Sequence, residues 1–161
     1  MYYFAYGSCM DAESFSNTVG KENYEVLGAA VLPDYRLAFN LYSETRKGGV
    51  ADVVMSPGDQ VEGVLYRLSP EALPPLDQRE GVELGRYRRV YVNVHWQGRV
   101  LSAMTYTVVE KLPDEIPPSM EYARLVYNGA RQQLSDAYRK KLVREWSEKF
   151  GLDDFLKKED A

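Results

Sequence analysis

Read for the spacing of apolar and polar positions, the chain divides into a strand-rich first two thirds and a helical last third. Tyr2–Tyr6 is a short aromatic run suited to a buried strand, cut off by Gly7-Ser8. Asp11 then stands where an N-cap would start a short helix toward Asn17. Glu25–Leu32 and Arg36–Leu41 read as strands joined by a turn at Pro33-Asp34. Val50–Met55 is a further strand, closed by the turn-forming Ser56-Pro57-Gly58-Asp59. Val61–Leu68 carries apolar residues on both faces, as a central strand does.

Ser69-Pro70 reads as an N-cap followed by proline at the first helical position. Pro74-Pro75 is expected to interrupt that helix, leaving a short turn at Leu76–Glu80 that stops at Gly81. Arg88–His95 and Arg99–Val108 form a hairpin about Trp96-Gln97-Gly98. Two helices close the pattern, Ser119–Leu134 and Asp136–Phe150, the second capped by Ser135 and stopped by Gly151. The charged tail Lys157–Ala161 is expected to fray. Strands first and helices last give an α+β domain. Short connections imply a mostly antiparallel sheet curled into a barrel, with flanking helices outside.

The 161 residues suffice for one domain, 1–161, with a sizeable core. A net charge of −4 leaves no basic stripe for phosphates and argues against nucleic acid as a partner. The basic cluster Arg139, Lys140, Lys141 and Arg144 is interleaved with Asp136, Glu145 and Glu148, as on a solvated helix face. No signal-like or membrane-spanning run follows Met1, and the lone Cys9 forms no internal disulfide, so a cytoplasmic location is expected. Cys9, the single His95 and scattered carboxylates supply no zinc ligand set. The oligomeric state is left open.

Three segments have chemical potential. A strand ending in Gly7-Ser8 can leave main-chain N–H groups aimed into a cavity, a nest for a carboxylate or an oxyanion; an ordinary strand end is the plainer reading. Leu76-Asp77-Gln78-Arg79-Glu80-Gly81 places Glu80 on a short polar helix, where a solvated carboxylate is the usual expectation. Pro117-Pro118-Ser119 starts a helix whose N–H groups suit an anion, and Tyr122 equally suits simple packing on the sheet. A Cys9–His95 thiol hydrolase is a competing enzyme class, and a non-catalytic small-molecule binding domain is a third alternative.

Together, and in order, these segments resemble the γ-glutamyl cyclotransferases of the AIG2-like superfamily. The family's Tyr-Gly-Ser-Asn signature is Tyr6-Gly7-Ser8-Cys9 here, with cysteine where asparagine is usual. Its Gly-Gly-Ile/Val-Ala segment is Gly48-Gly49-Val50-Ala51, its Ser-Pro-Gly-Asp turn Ser56–Asp59, and its Leu-Asp-x-x-Glu-Gly segment Leu76–Gly81. A Gly-x-Tyr matches Gly85-Arg86-Tyr87, and a tyrosine after a Pro/Ser stretch matches Tyr122. The resemblance runs from about Tyr3 to about Leu142. It implies a mixed barrel with flanking helices, and a cofactor-free enzyme that cyclises a γ-glutamyl amide to 5-oxoproline. Its catalytic general acid/base would be Glu80. The small-molecule γ-glutamyl substrate would lie against Tyr3, Phe4, Ala5, Tyr6, Gly7 and Ser8, with Tyr87 and Tyr122 in contact.

Overall fold

The computed structural model describes residues 1–153; the tail at Lys157–Ala161 lies outside them. Five strands form a closed barrel: β1 (Tyr2–Ala5), β2 (Tyr24–Ser43), β3 (Gly48–Leu68), β4 (Tyr87–Trp96) and β5 (Arg99–Val108), in the order β1-β3-β2-β4-β5. All neighbours are antiparallel except β1 and β5, which run parallel where Tyr3 pairs with Met104 and so close the cylinder. The helices are α1 (Ala12–Val19), α2 (Leu73–Glu80), α3 (Met120–Gln133) and α4 (Asp136–Phe150). Among the described residues no helix is long and apolar enough to cross a membrane.

Two turn expectations give way to one longer element each. Pro33-Asp34 and Ser56–Asp59 do not reverse the chain: β2 and β3 run through them as a single long hairpin. Pro33 pairs with Gln60 and Tyr35 with Met55, so the extra residues bulge out from both strands while the direction is kept. Asp34 and Gly58 both have positive φ there, and the Asp34 carboxylate accepts the Gly58 amide at 3.0 Å. Composition that favours a turn serves a bulge as well, because both need left-handed backbone and a local side-chain acceptor.

Pro74 and Pro75 likewise do not break a helix. They occupy the first turn of α2, where an amide would have no partner in any case. Ser69 does not cap it; its hydroxyl donates to the Asn23 carbonyl at 3.2 Å. The other helix ends follow their local chemistry. The side chains of Asp11, Ser119 and Ser135 accept amides at the starts of α1, α3 and α4, and left-handed Gly81 and Gly151 stop α2 and α4.

The barrel interior joins Phe4, Leu65, Val94 and Met104 to an aromatic cluster in which Phe15 of α1 stacks on Tyr66 at 4.2 Å between centroids. α3 lies directly against the 3₁₀ turn Ser8–Met10. A Cβ on its Gly129 would stand 2.5 Å from Met10 Cβ and 2.7 Å from the Asp11 amide. That close approach holds the turn after β1 against the helix that carries Tyr122.

Candidate active site

Residues from six places in the chain meet at one mouth of the barrel. Tyr3, Tyr6, Gly7, Ser8, Cys9, Ala51, Glu80, Tyr87, Tyr106 and Tyr122 line a chamber of about 30 Å³. Ser8, Glu80, Tyr87 and Tyr122 also line an outer vestibule of about 380 Å³, so these four side chains stand where the two spaces meet. The chamber is walled by hydroxyls and main chain, with one carboxyl group, that of Glu80.

Of β1 itself only Tyr3 reaches this site; the residues that follow the strand supply the rest of this wall. Tyr3, Tyr6, Gly7 and Ser8 face the chamber; Phe4 and Ala5 do not line it. Phe4 is buried in the core, and its carbonyl accepts the Thr105 hydroxyl at 2.7 Å. After Gly7 the first bonded amides of the 3₁₀ turn are Met10 N–H to the Gly7 carbonyl and Asp11 N–H to the Ser8 carbonyl. The amides of Gly7, Ser8 and Cys9 precede them and have no partner within that turn.

Ala51 is gripped on both sides of its peptide. Tyr87 donates its hydroxyl to the Ala51 carbonyl at 2.7 Å, and the Tyr122 oxygen accepts the Ala51 amide at 3.1 Å. Because Tyr122 accepts there, its own proton remains to be donated to a guest in the chamber. Burial pushes the Tyr122 phenol up to about 12 and that of Tyr87 well above the ordinary value, so both stay protonated donors. Tyr6 donates to the Tyr106 carbonyl at 2.7 Å, and Tyr106 donates to Asp77 at 2.6 Å. Asp77 also holds Arg89. Burial alone would raise the Asp77 carboxyl, but these bonds outweigh it and keep it below its usual range.

Glu80 ends α2 with its carboxyl turned into the site, where Oε1 accepts the Cys9 thiol at 3.7 Å. Desolvation raises its pKa above the ordinary glutamate value. Arg79, the Cys9 bond and Arg46 oppose that rise without cancelling it. Arg79 is the largest of the opposing influences, and it acts through its charge, since its guanidinium hydrogen-bonds only neutral groups. Its terminal nitrogens donate to the Ser14 carbonyl and hydroxyl, the Thr18 hydroxyl and, at 3.0 Å, the Ser8 hydroxyl. Arg79 therefore ties α2 to α1 and to the nest while Glu80, one residue on, faces the chamber.

Cys9 is buried, and desolvation pushes its thiol up to about 12, the reverse of what a nucleophilic thiolate needs. His95 lies on the exposed face of β4 and takes no part in the chamber, so the thiol–imidazole pair of a hydrolase does not form. Among the described residues no three His, Cys, Asp or Glu side chains come together as a metal would require.

Sequence reading missed Asp52, Tyr106 and Arg46, and saw Arg79 only as a cation beside Glu80, not as the tie from α2 to α1 and Ser8. Asp52 is wholly buried beside Ala51. It accepts Asn40 Nδ2 and Lys111 Nζ at 2.8 Å each, the Thr107 hydroxyl at 2.7 Å and the amides of Val53 and Val108. One carboxylate thus fastens β2, β3 and β5 behind the peptide that the two tyrosines hold. A lone acid inside Val50–Met55 was the available signal.

The AIG2-like family model matches residues 60–142, just over half of the chain. YkqA of Bacillus subtilis is 40% identical over 147 residues, covering 89% of this chain and 51% of its own length. The γ-glutamylcyclotransferase of Bos taurus is 34% identical over 146 residues, covering 87% of this chain and 76% of the bovine protein. A solved γ-glutamyl cyclotransferase structure superposes with a TM-score of 0.81 at 30% identity, over 88% of this chain and 85% of that one. This chain therefore spans about half of YkqA and three quarters of the bovine relative.

Proposed function

From the premise that this chain belongs to the AIG2-like family of γ-glutamylcyclotransferases, we propose that it cyclises a γ-glutamyl amide to 5-oxoproline, with Glu80 moving the protons. The observation that carries this reading is the raised Glu80 carboxyl, standing at the junction of a small hydroxyl-lined chamber and a larger vestibule. The reacting γ-carbonyl would point into the small chamber, while the rest of the glutamyl head and the amine would lie in the vestibule. The scissile bond would then lie beside Glu80.

The chemistry asks little else of the protein. The α-nitrogen attacks its own γ-carbonyl carbon, a new C–N bond closes the five-membered ring, and the original amide C–N bond breaks. Both reacting groups belong to one molecule, and holding them in the attack geometry is worth roughly 7–11 kcal/mol. The α-nitrogen starts as an ammonium and ends as a lactam N–H, whereas the departing nitrogen ends as an ammonium. Two protons therefore pass from one nitrogen to the other. A carboxylate between them serves as base and then acid, and a pKa raised toward neutrality suits both turns.

The tetrahedral intermediate carries an oxyanion that needs donors in place. The Tyr122 hydroxyl and the Gly7 and Ser8 amides, which the 3₁₀ turn leaves unbonded, are the candidates on the chamber wall. Phenols held protonated by burial donate and do not compete with Glu80 for the ammonium proton. Cys9 has no covalent role in this scheme, since the substrate brings its own nucleophile.

The test is mass spectrometric: incubation with a panel of γ-glutamyl amides should yield 5-oxoproline and free amine in equal amounts. Ligand-induced thermal stabilisation without any 5-oxoproline would instead identify a non-catalytic binding domain on the same fold.

A further inference from the structure

The vestibule outside Glu80 has a charge pattern that the cyclisation itself does not require. Three arginines line it, Arg46, Arg79 and Arg86, and Glu80 is its one carboxylate. Arg79 is spent on Ser8, Ser14 and Thr18. Arg46 places its guanidinium 5.6 Å from the centre of the Tyr122 ring, and Arg86 donates to the Tyr42 carbonyl at 3.2 Å. Neither forms an ion pair with an acid among the described residues. Glu121 opens onto a separate groove of about 110 Å³ that shares Arg46, yet no ion pair joins the two.

Half-buried guanidiniums beside a cavity that form no ion pair, with Glu80 the one acid facing them, are an unusual use of charge. Arginine is matched to planar anions through paired N–H bonds and loses little on partial burial when such a partner arrives. An amino acid's α-carboxylate would engage one of them. The second is left for another anion on the same departing molecule, and about 380 Å³ is ample for a side chain that bears one.

We propose that the preferred leaving amine is an acidic amino acid, with its two carboxylates read by Arg46 and Arg86. The proposal rests on the cyclisation reading above and adds the substrate class. Small neutral and basic leaving groups forfeit one of the two charged contacts, and a basic side chain meets repulsion as well.

The experiment compares kcat/KM, by 5-oxoproline release, for γ-glutamyl-glutamate, γ-glutamyl-alanine and γ-glutamyl-lysine. It uses the wild-type chain and the variants Arg86→Gln, Arg86→Glu and Arg46→Gln. The acidic amide should lead the neutral one by roughly 10- to 100-fold, the worth of one charge-assisted contact, and the basic one by more. That ratio should shrink as salt screens the vestibule. Either glutamine substitution should collapse the ratio of acidic to neutral turnover, and Arg86→Glu should turn the ratio of acidic to basic turnover toward the lysine amide. Arg86 lies at the vestibule rim, and Arg86→Gln keeps most of its packing if the charge reversal unfolds the chain. Equal kcat/KM for the three amides, with 5-oxoproline formed from each, would overturn this assignment and leave the cyclisation standing. No 5-oxoproline from any of them would overturn both.

Discussion

Replacing Glu80 by glutamine keeps the side chain's length and its ability to accept the Cys9 thiol at 3.7 Å, while removing the only chamber group able to take a proton near neutral pH. General acid–base catalysis by a positioned group is worth about 10²–10⁴ in rate. Turnover should therefore fall by that factor, equivalent to about 2.7–5.5 kcal/mol of barrier. KM should stay near the wild-type value or fall, since the neutral amide still fills the junction. Stability should move the other way. The folded protein holds the Glu80 proton more tightly than the unfolded chain does, because burial raises this pKa. The stabilisation from that proton is complete below the ordinary glutamate range and is lost as pH rises through the raised folded value. Above that window Glu80→Gln should melt at or above the wild-type temperature, and its melting point should be flat across it. Wild-type kcat/KM should rise with pH over the same interval as the base ionises, and the residual rate of the variant should lack that limb. Initial rates of 5-oxoproline formation and thermal melts, both against pH, test the two halves together. A folded variant that turns over normally, or one that retains the acid limb, would refute this role for Glu80.

Three further perturbations address the scaffold around it. Tyr122→Phe deprives the buried Ala51 amide of its acceptor, which should cost about 1–3 kcal/mol in denaturant unfolding and lower kcat as well. Lys111→Met removes the half-exposed partner of the wholly buried Asp52. A loss of about 1.5–3 kcal/mol is expected by the same measurement, and an unchanged midpoint would show the pair to be idle. Cys9→Ala should keep kcat within about tenfold, because a thiol pushed up to about 12 supplies no thiolate at neutral pH; a thousandfold loss, about 4 kcal/mol, in a folded protein would point to covalent catalysis.

What could be read from the sequence was local. Asp11, Ser119, Ser135, Gly81, Gly151 and the Gln97-Gly98 turn each do their work within a few residues, and the structure has them where the pattern puts them. Asp34 and Gly58 were misread for a physical reason: left-handed backbone flanked by prolines marks a bend of either kind, and only the partner strand decides between a reversal and a bulge. The site divides the same way. Ordered motifs bring Tyr6, Ser8, Glu80, Tyr87 and Tyr122 into view, whereas Arg79, Asp52 and Tyr106 take their meaning from partners far along the chain. That burial raises Glu80 despite the charge of Arg79 beside it is visible only once the fold shows how deeply the carboxyl is enclosed.

The parallel seam between β1 and β5 has a kinetic corollary. β1 is four residues long, and its pairing of Tyr3 with Met104 joins chain positions about a hundred residues apart. The long β2–β3 hairpin closes a short loop and is entropically inexpensive to form, whereas this seam demands a late, long-range closure. The loop that continues β1, Gly7-Ser8, is one wall of the chamber, and Glu80 and Tyr122 stand on others. No partly zipped barrel can hold a working chamber, so recovered activity during refolding should trail the signal of strand formation. In a growing chain, everything through α3 must be free to fold before the first turnover occurs.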